Sequence, residues 1–132
     1  MLKQIVLIFL FLSIAVNAKV TREDIDAVQK QLKAAVQVEN RCTTSSDCTA
    51  VPTGSRACGG PNGYVVYAIK SSNARMIRLL ATKTVDLERQ YNLDNGVISI
   101  CSMIMPPTPV CDKTNKCSID STVSPFEPAI LE

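Results

Sequence analysis

The stretch C-T-T-S-S-D-C-T-A-V-P, Cys42 to Pro52, closes a polar loop between two cysteines and runs at once into a short β-prone segment. What those cysteines do decides the fold. As bridges they staple a small domain whose core would otherwise be thin, and as metal ligands they would build it around an ion. The choice turns on compartment, which the N-terminus sets. Lys3 supplies a positive charge, Ile5 to Val16 is an apolar run too short to span a bilayer comfortably, and Val16-Asn17-Ala18 offers a small residue for cleavage. Residues 1–18 therefore read as a signal peptide, with the mature chain beginning at Lys19. No cysteine follows the cleavage site, as a lipid-anchored precursor would require, so we expect a periplasmic or secreted protein with no membrane span after cleavage.

All six cysteines, Cys42, Cys48, Cys58, Cys101, Cys111 and Cys117, lie beyond the signal, and an oxidising compartment makes three disulfides the default. Their spacing, C-x5-C-x9-C-x42-C-x9-C-x5-C, reads the same in both directions and does not by itself choose a pairing. Six cysteines permit 15 pairings, and two cases matter for the loop after Cys101. Cys101 can pair with a cysteine of the first cluster, leaving Cys111 and Cys117 to close a terminal hairpin, or Cys101 and Cys111 can close a constrained ring. We expect the first.

Residues 19–120 suffice for one domain. The tail, residues 121–132, has two prolines and no periodicity and reads as extended or disordered. With 14 basic and 12 acidic side chains and a net charge of +2, nothing electrostatic points to nucleic acid or an anionic membrane as partner. Thr21-Arg-Glu-Asp24 resembles a capping box, and Ile25, Val28, Leu32, Ala35 and Val36 then recur at helical spacing. A helix is predicted from about Glu23 to Glu39. Ser71 and Ser72 are expected to cap a second, from about Asn73 to Tyr91, with Met76, Ile77, Leu80, Thr84, Leu87 and Tyr91 on its inner face. Tyr64-Val-Val-Tyr67 reads as a strand, Val97 to Ile104 as the central strand, and Val110 to Ile119 as a hairpin turning on Lys113 to Lys116.

The chain has no histidine, which removes imidazole-based hydrolases and the commonest nitrogen ligand for metals. It has neither C-x-x-C nor the C-x2-C and C-x4-C pairs of structural zinc, so no metal and no cofactor is expected. Asp47, Asp86, Glu88, Asp94, Asp112 and Asp120 could in principle supply a glycosidase pair, but nothing in their spacing selects one. In R-A-C-G-G-P-N-G-Y, Arg56 to Tyr64, the glycines lead into a strand rather than a helix N-terminus, which argues for a tight turn and against a phosphate cradle. Gly59 and Gly60 before Pro61 would let another backbone approach closely.

Two loops could present themselves to a partner without any catalytic group. C-S-M-I-M-P-P-T-P-V-C, Cys101 to Cys111, resembles the reactive loop of Bowman-Birk inhibitors, with Ser102 matching the usual Thr, Met103 the specificity residue, and Pro106 and Pro107 the proline pair. Ile104 stands where that family has Ser, and two extra residues precede Cys111. Arg56 in the other loop could enter a trypsin-like pocket. More broadly, C-T-T-S-S-D-C, C-G-G-P with Tyr64 and Tyr67, G-V-I-S-I-C and C-D-K-T-N-K-C together resemble a group of small exported, cysteine-rich bacterial proteins and lipoproteins of uncharacterised function. That resemblance implies export and disulfides and carries no activity.

The sequence thus describes one α+β domain, two helices on one face of a small, mainly antiparallel sheet, cross-linked by three disulfides. Its expected role is that of a non-enzymatic binding protein acting on another protein in the periplasm or outside the cell. The surface would comprise Arg56, Gly59, Gly60, Pro61, Tyr64, Met103, Ile104, Met105, Pro106 and Pro107. Inhibition of a protease, with Met103 or Arg56 as specificity residue, is its sharpest form, and neutralising a lysozyme or toxin a looser one. A structural, envelope-associated role is the alternative.

Overall fold

The computed structural model describes residues 18–120. The signal-peptide and tail readings fall on residues 1–17 and 121–132 and lie outside it. Helix α1, Arg22–Val38, starts as its sequence dictates: Thr21 accepts from the Asp24 amide at 3.2 Å while the Asp24 carboxylate accepts from the Thr21 amide at 2.8 Å. Its stripe Ile25, Val28 and Leu32 is buried, and Ala35 and Val36 pack at the margin.

A single 3-10 turn, Ser45–Asp47, leads into β1, Cys48–Thr53, which pairs antiparallel with β2, Gly63–Ala68, in the register Cys48↔Ala68 to Thr53↔Gly63. Alternation along β2 sends its side chains to two separate cores. Tyr67 joins Leu32, Ala74, Ile77 and Ala81 beneath the helices, whereas Val66 and Ala68 join Cys42, Cys48 and Cys117 on the opposite face. The β1–β2 hairpin is therefore covered on both sides, by helices on one and by cystines on the other.

Helix α2, Ala74–Asp94, buries Ala74, Ile77, Ala81, Thr84 and Glu88, a stripe stepping by three and four. This rotates the expected inner face: Met76 is half exposed, and the acidic Glu88 is inside at 7 % exposure. Asn73 occupies the N-cap in place of the serines. Ser72 is drawn away by the Glu39 carboxylate, which accepts from its amide and hydroxyl at 2.7 and 2.6 Å, and this holds the Glu39 carboxyl below its usual range. At the other end Arg22 lies over the Tyr91 ring, 4.7 Å from its centre, tying the start of α1 to the end of α2.

The expected central strand does not exist: residues 97–108 carry no ladder. Their β-branched composition suits a pleated surface, but propensity supplies no partner. The sheet is instead two separate hairpins, the second made of β3, Pro109–Cys111, and β4, Cys117–Ile119. Its turn is where the sequence placed it, held by the Asp112 carboxylate, which accepts from the amides of Thr114 and Lys116 at 2.8 and 3.1 Å.

Asn40 docks this hairpin. Its amide donates to the Cys117 carbonyl at 2.9 Å and its carbonyl accepts from the Ala68 amide at 3.0 Å. Two disulfides complete the join, Cys42–Cys111 and Cys48–Cys117, each 69 residues apart in sequence. The expected closure of the hairpin by Cys111 and Cys117 is thereby corrected, as is a Cys101–Cys111 ring, since Cys111 is bonded to Cys42. The equal spacing has a structural meaning: the two bridges join the ends of the loop, residues 43–47, to the ends of the turn, residues 112–116, Cys42 to Cys111 and Cys48 to Cys117.

Candidate functional site

The loop between β1 and β2, residues 54–62, is pinned from below by α2. The Thr84 hydroxyl, fully buried, accepts from the Gly54 amide at 2.9 Å and donates to the Ala81 carbonyl at 2.6 Å. One turn on, the Glu88 carboxylate accepts from the Ser55 amide at 2.8 Å, from Gln29 Nε2 at 3.1 Å and from Asn62 Nδ2. Asn92 adds a bond to the Ser55 carbonyl at 2.8 Å. A buried carboxylate surrounded by neutral donors is thus satisfied without a cation. Gly54 sits against it with φ +67, where a Cβ would fall 2.6 Å from Glu88 Oε2.

Beyond this anchor the loop turns sharply. Gly59 and Gly60 have φ of +103 and +80, and the Arg56 amide donates to the Gly60 carbonyl at 3.0 Å. Apart from the adjoining residues of the chain, no described atom lies within 4 Å of where their Cβ atoms would be, so backbone conformation is what requires glycine here. Tyr64 stands at the start of β2 and, with Gln29, Asn62 and Glu88, lines a cavity of about 270 Å³.

The segment after α2 folds back onto this loop, bringing the two sequence-predicted loops together. Arg56 Nη1 donates to the Ser102 carbonyl and hydroxyl at 2.6 and 2.8 Å. The Cys58 amide donates to Ser99 Oγ at 3.4 Å, whose hydroxyl reaches Cys58 Sγ at 3.6 Å. Cys58 and Cys101, both exposed and both outside the two disulfides, lie near each other across the seam. That proximity lowers the Cys58 thiol, assisted by Ser99 and by the nearby Arg56 charge, and raises the Cys101 thiol.

On the outer side of the seam the segment displays Ile98, Ile100, Met103 and Met105, which are 94, 84, 88 and 69 % exposed. Ile104 and Pro107 are half-buried and Pro106 is exposed. Behind it lies a cleft of about 310 Å³ bounded by residues 55–57, Arg89, Asn92, Leu93, Gly96 and Val97.

The other acids have structural employment. Asp47, held below its usual range, accepts from the amides of Thr43 and Thr44, Asp86 is 3.9 Å from Arg89, and Asp94 accepts from Gln90 at 2.8 Å. One group of three potential metal ligands occurs among the described residues, Cys42, Cys48 and Cys117, and their sulfurs are engaged in the two bridges. No described helix is long and apolar enough to cross a membrane.

Sequence reasoning named Glu88 among the acids, Thr84 on the inner face of the second helix and Ser102 in the proline loop without the roles they have here, and missed Asn92 and Ser99 altogether. Glu88 had a signal: Ala74, Ile77, Ala81 and Thr84 set a stripe on which residue 88 is next. Ser99 and Ser102 had none, because the contact that matters spans more than forty residues of chain. Comparison with known proteins returns no matching family model, no matching curated protein and no matching solved structure.

Proposed function

We propose that this chain is an exported, non-enzymatic scaffold that binds another protein in the periplasm or outside the cell. Its contact surface is the composite of residues 54–61 and 97–107, and a third disulfide, Cys58–Cys101, closes the seam between them. The observation that carries this is the row of large apolar side chains, Ile98, Ile100, Met103 and Met105, left in water on a segment clasped to a bridged domain. Burying each would yield about 1.5–3 kcal/mol, and the chain forgoes all four. Large apolar side chains exposed together on one short segment favour a partner surface. Arg56 and the pinned loop beneath it hold the segment in one place, which lowers the entropy lost on docking.

Protease inhibition is favoured in one form only. Met103 stands out beside Pro106 and Pro107, whereas the Arg56 guanidinium is occupied by Ser102. The test is a paired capture from envelope extract with wild type and Ile100→Ser/Met103→Ser, together with amide exchange over residues 97–105. A species retained by wild type, lost with the variant, and protecting that segment supports the proposal. Identical capture by both proteins, or no protection, overturns it. Serine proteases of Met, Arg and elastase-like specificity that stay active while cleaving at Met103 would remove the inhibitory form alone.

A further inference from the structure

The two established bridges and the Cys58–Cys101 pair differ in kind. Cys42, Cys48 and Cys117 are buried at 5–8 % exposure and Cys111 is half-buried against the same cluster, while Cys58 and Cys101 are exposed. Disulfide exchange requires in-line approach of a thiolate, so burial protects the first set and leaves the second open. Ala57, the residue before Cys58, lines the cleft of about 310 Å³ to which Arg56 and Arg89 also contribute. Asp86 lies 3.9 Å from Arg89, but both side chains are about two-thirds exposed, so screening leaves Arg89 available to a second anion.

We propose that Cys58 and Cys101 form a thiol–disulfide exchange site for small, carboxylate-bearing disulfides, with Cys58 as the attacking thiol, Cys101 as the resolving thiol, and Arg89 orienting a carboxylate. The Cys58 thiolate attacks one sulfur of the small disulfide. That S–S bond breaks, one thiolate leaves and takes a proton, and a mixed disulfide remains on Cys58. Cys101, after giving its proton to water, attacks Cys58 Sγ; the mixed bond breaks and the second thiolate leaves. Two protein thiols are oxidised and one small disulfide is reduced to two thiols. The lowering of the Cys58 thiol and the raising of Cys101 match this division of roles.

The inference rests on the Cys58–Cys101 pairing but not on the binding role. In the test, the full mature chain is brought to the Cys58/Cys101 dithiol with limiting reductant and then given glutathione disulfide or the cationic cystamine at low salt. Each rate is normalised to that of N-acetylcysteine, and adducts are mapped by mass after acid quench. Expected are a transient glutathione adduct on Cys58 that persists in Cys101→Ser, a preference of about tenfold for the anionic reagent, and its loss in Arg89→Gln. Equal normalised rates for the two reagents, adducts divided equally between Cys58→Ser and Cys101→Ser, or opening of Cys42–Cys111 before the exposed pair would overturn it. If both thiols are free as purified yet exchange as described, the third disulfide is lost from the binding proposal while the exchange site stands.

Discussion

Replacing Gly54 by alanine puts a methyl group where Glu88 already stands. Two costs follow, and a second glycine separates them. A non-glycine residue in left-handed backbone loses about 1–2 kcal/mol, and alanine regains about 0.4–1 kcal/mol by restricting the unfolded chain. At Gly60, with φ +80 and open space around it, only these terms act, so Gly60→Ala should cost about 0.5–1 kcal/mol. At Gly54, φ +67, the new Cβ meets the Glu88 oxygens at 2.6 and 2.8 Å and Asn62 Cβ at 2.9 Å. Glu88 is confined between the helices and the loop, so its carboxylate can retreat only by releasing Ser55 or Asn62. Losing one such charge-assisted bond costs about 1.5–3 kcal/mol, which brings the total for Gly54→Ala to about 2–4 kcal/mol. Urea unfolding followed by circular dichroism, with the bridges intact, measures both variants. Coincident midpoints for Gly54→Ala and Gly60→Ala would refute the view that the Glu88 anchor, rather than backbone strain, sets the cost.

Thr84→Val keeps the shape but leaves the buried Gly54 amide without its acceptor, and should lower stability by about 1–3 kcal/mol in the same assay. Removing Cys48–Cys117 by paired serines should cost about 3 kcal/mol, less than a 69-residue closure alone would imply, because Cys42–Cys111 still closes the long loop; chemical denaturation of the single and double bridge variants checks this. Asp24, Glu39, Asp47 and Asp112 all have carboxyls lowered by the amides or hydroxyls they accept from. Their folded pKa lies below the unfolded one, so their contribution is complete above about pH 4.5 and is lost as pH falls through the lowered values. Thermal melts should be flat above about pH 5 and fall steadily below about pH 4.

Where local chemistry decides, the sequence was enough. Thr21 and Asp24 cap α1, the 25–28–32 stripe buries, and Asp112 with Asn115 turns the second hairpin, each a matter of residues within one turn of each other. Glu88 was hidden by the ordinary rule that charge faces water, which fails when neutral donors from Gln29, Ser55 and Asn62 converge on it. Val97–Ile104 has strand composition, but whether a strand forms depends on a neighbour that spacing does not supply. The seam of Arg56 with Ser102 and Cys58 with Ser99 could not be read from either loop alone. Disulfide bonding was legible from the expected compartment and the six cysteines, and the choice of partners was not.

The register of the second hairpin sets a problem for how this chain oxidises. Cys111 and Cys117 face each other across β3 and β4, yet each is bonded elsewhere, and the sulfurs of Cys42, Cys48 and Cys117 lie within 4.8 Å of one another. In a newly made, still reduced chain the hairpin pair would close a very short loop, whereas the native bonds each close one of 69 residues at a greater entropic cost. A chain that oxidised the hairpin pair first would therefore have to rearrange to reach the two native bonds, on a timescale of roughly seconds to hours that a disulfide isomerase would shorten.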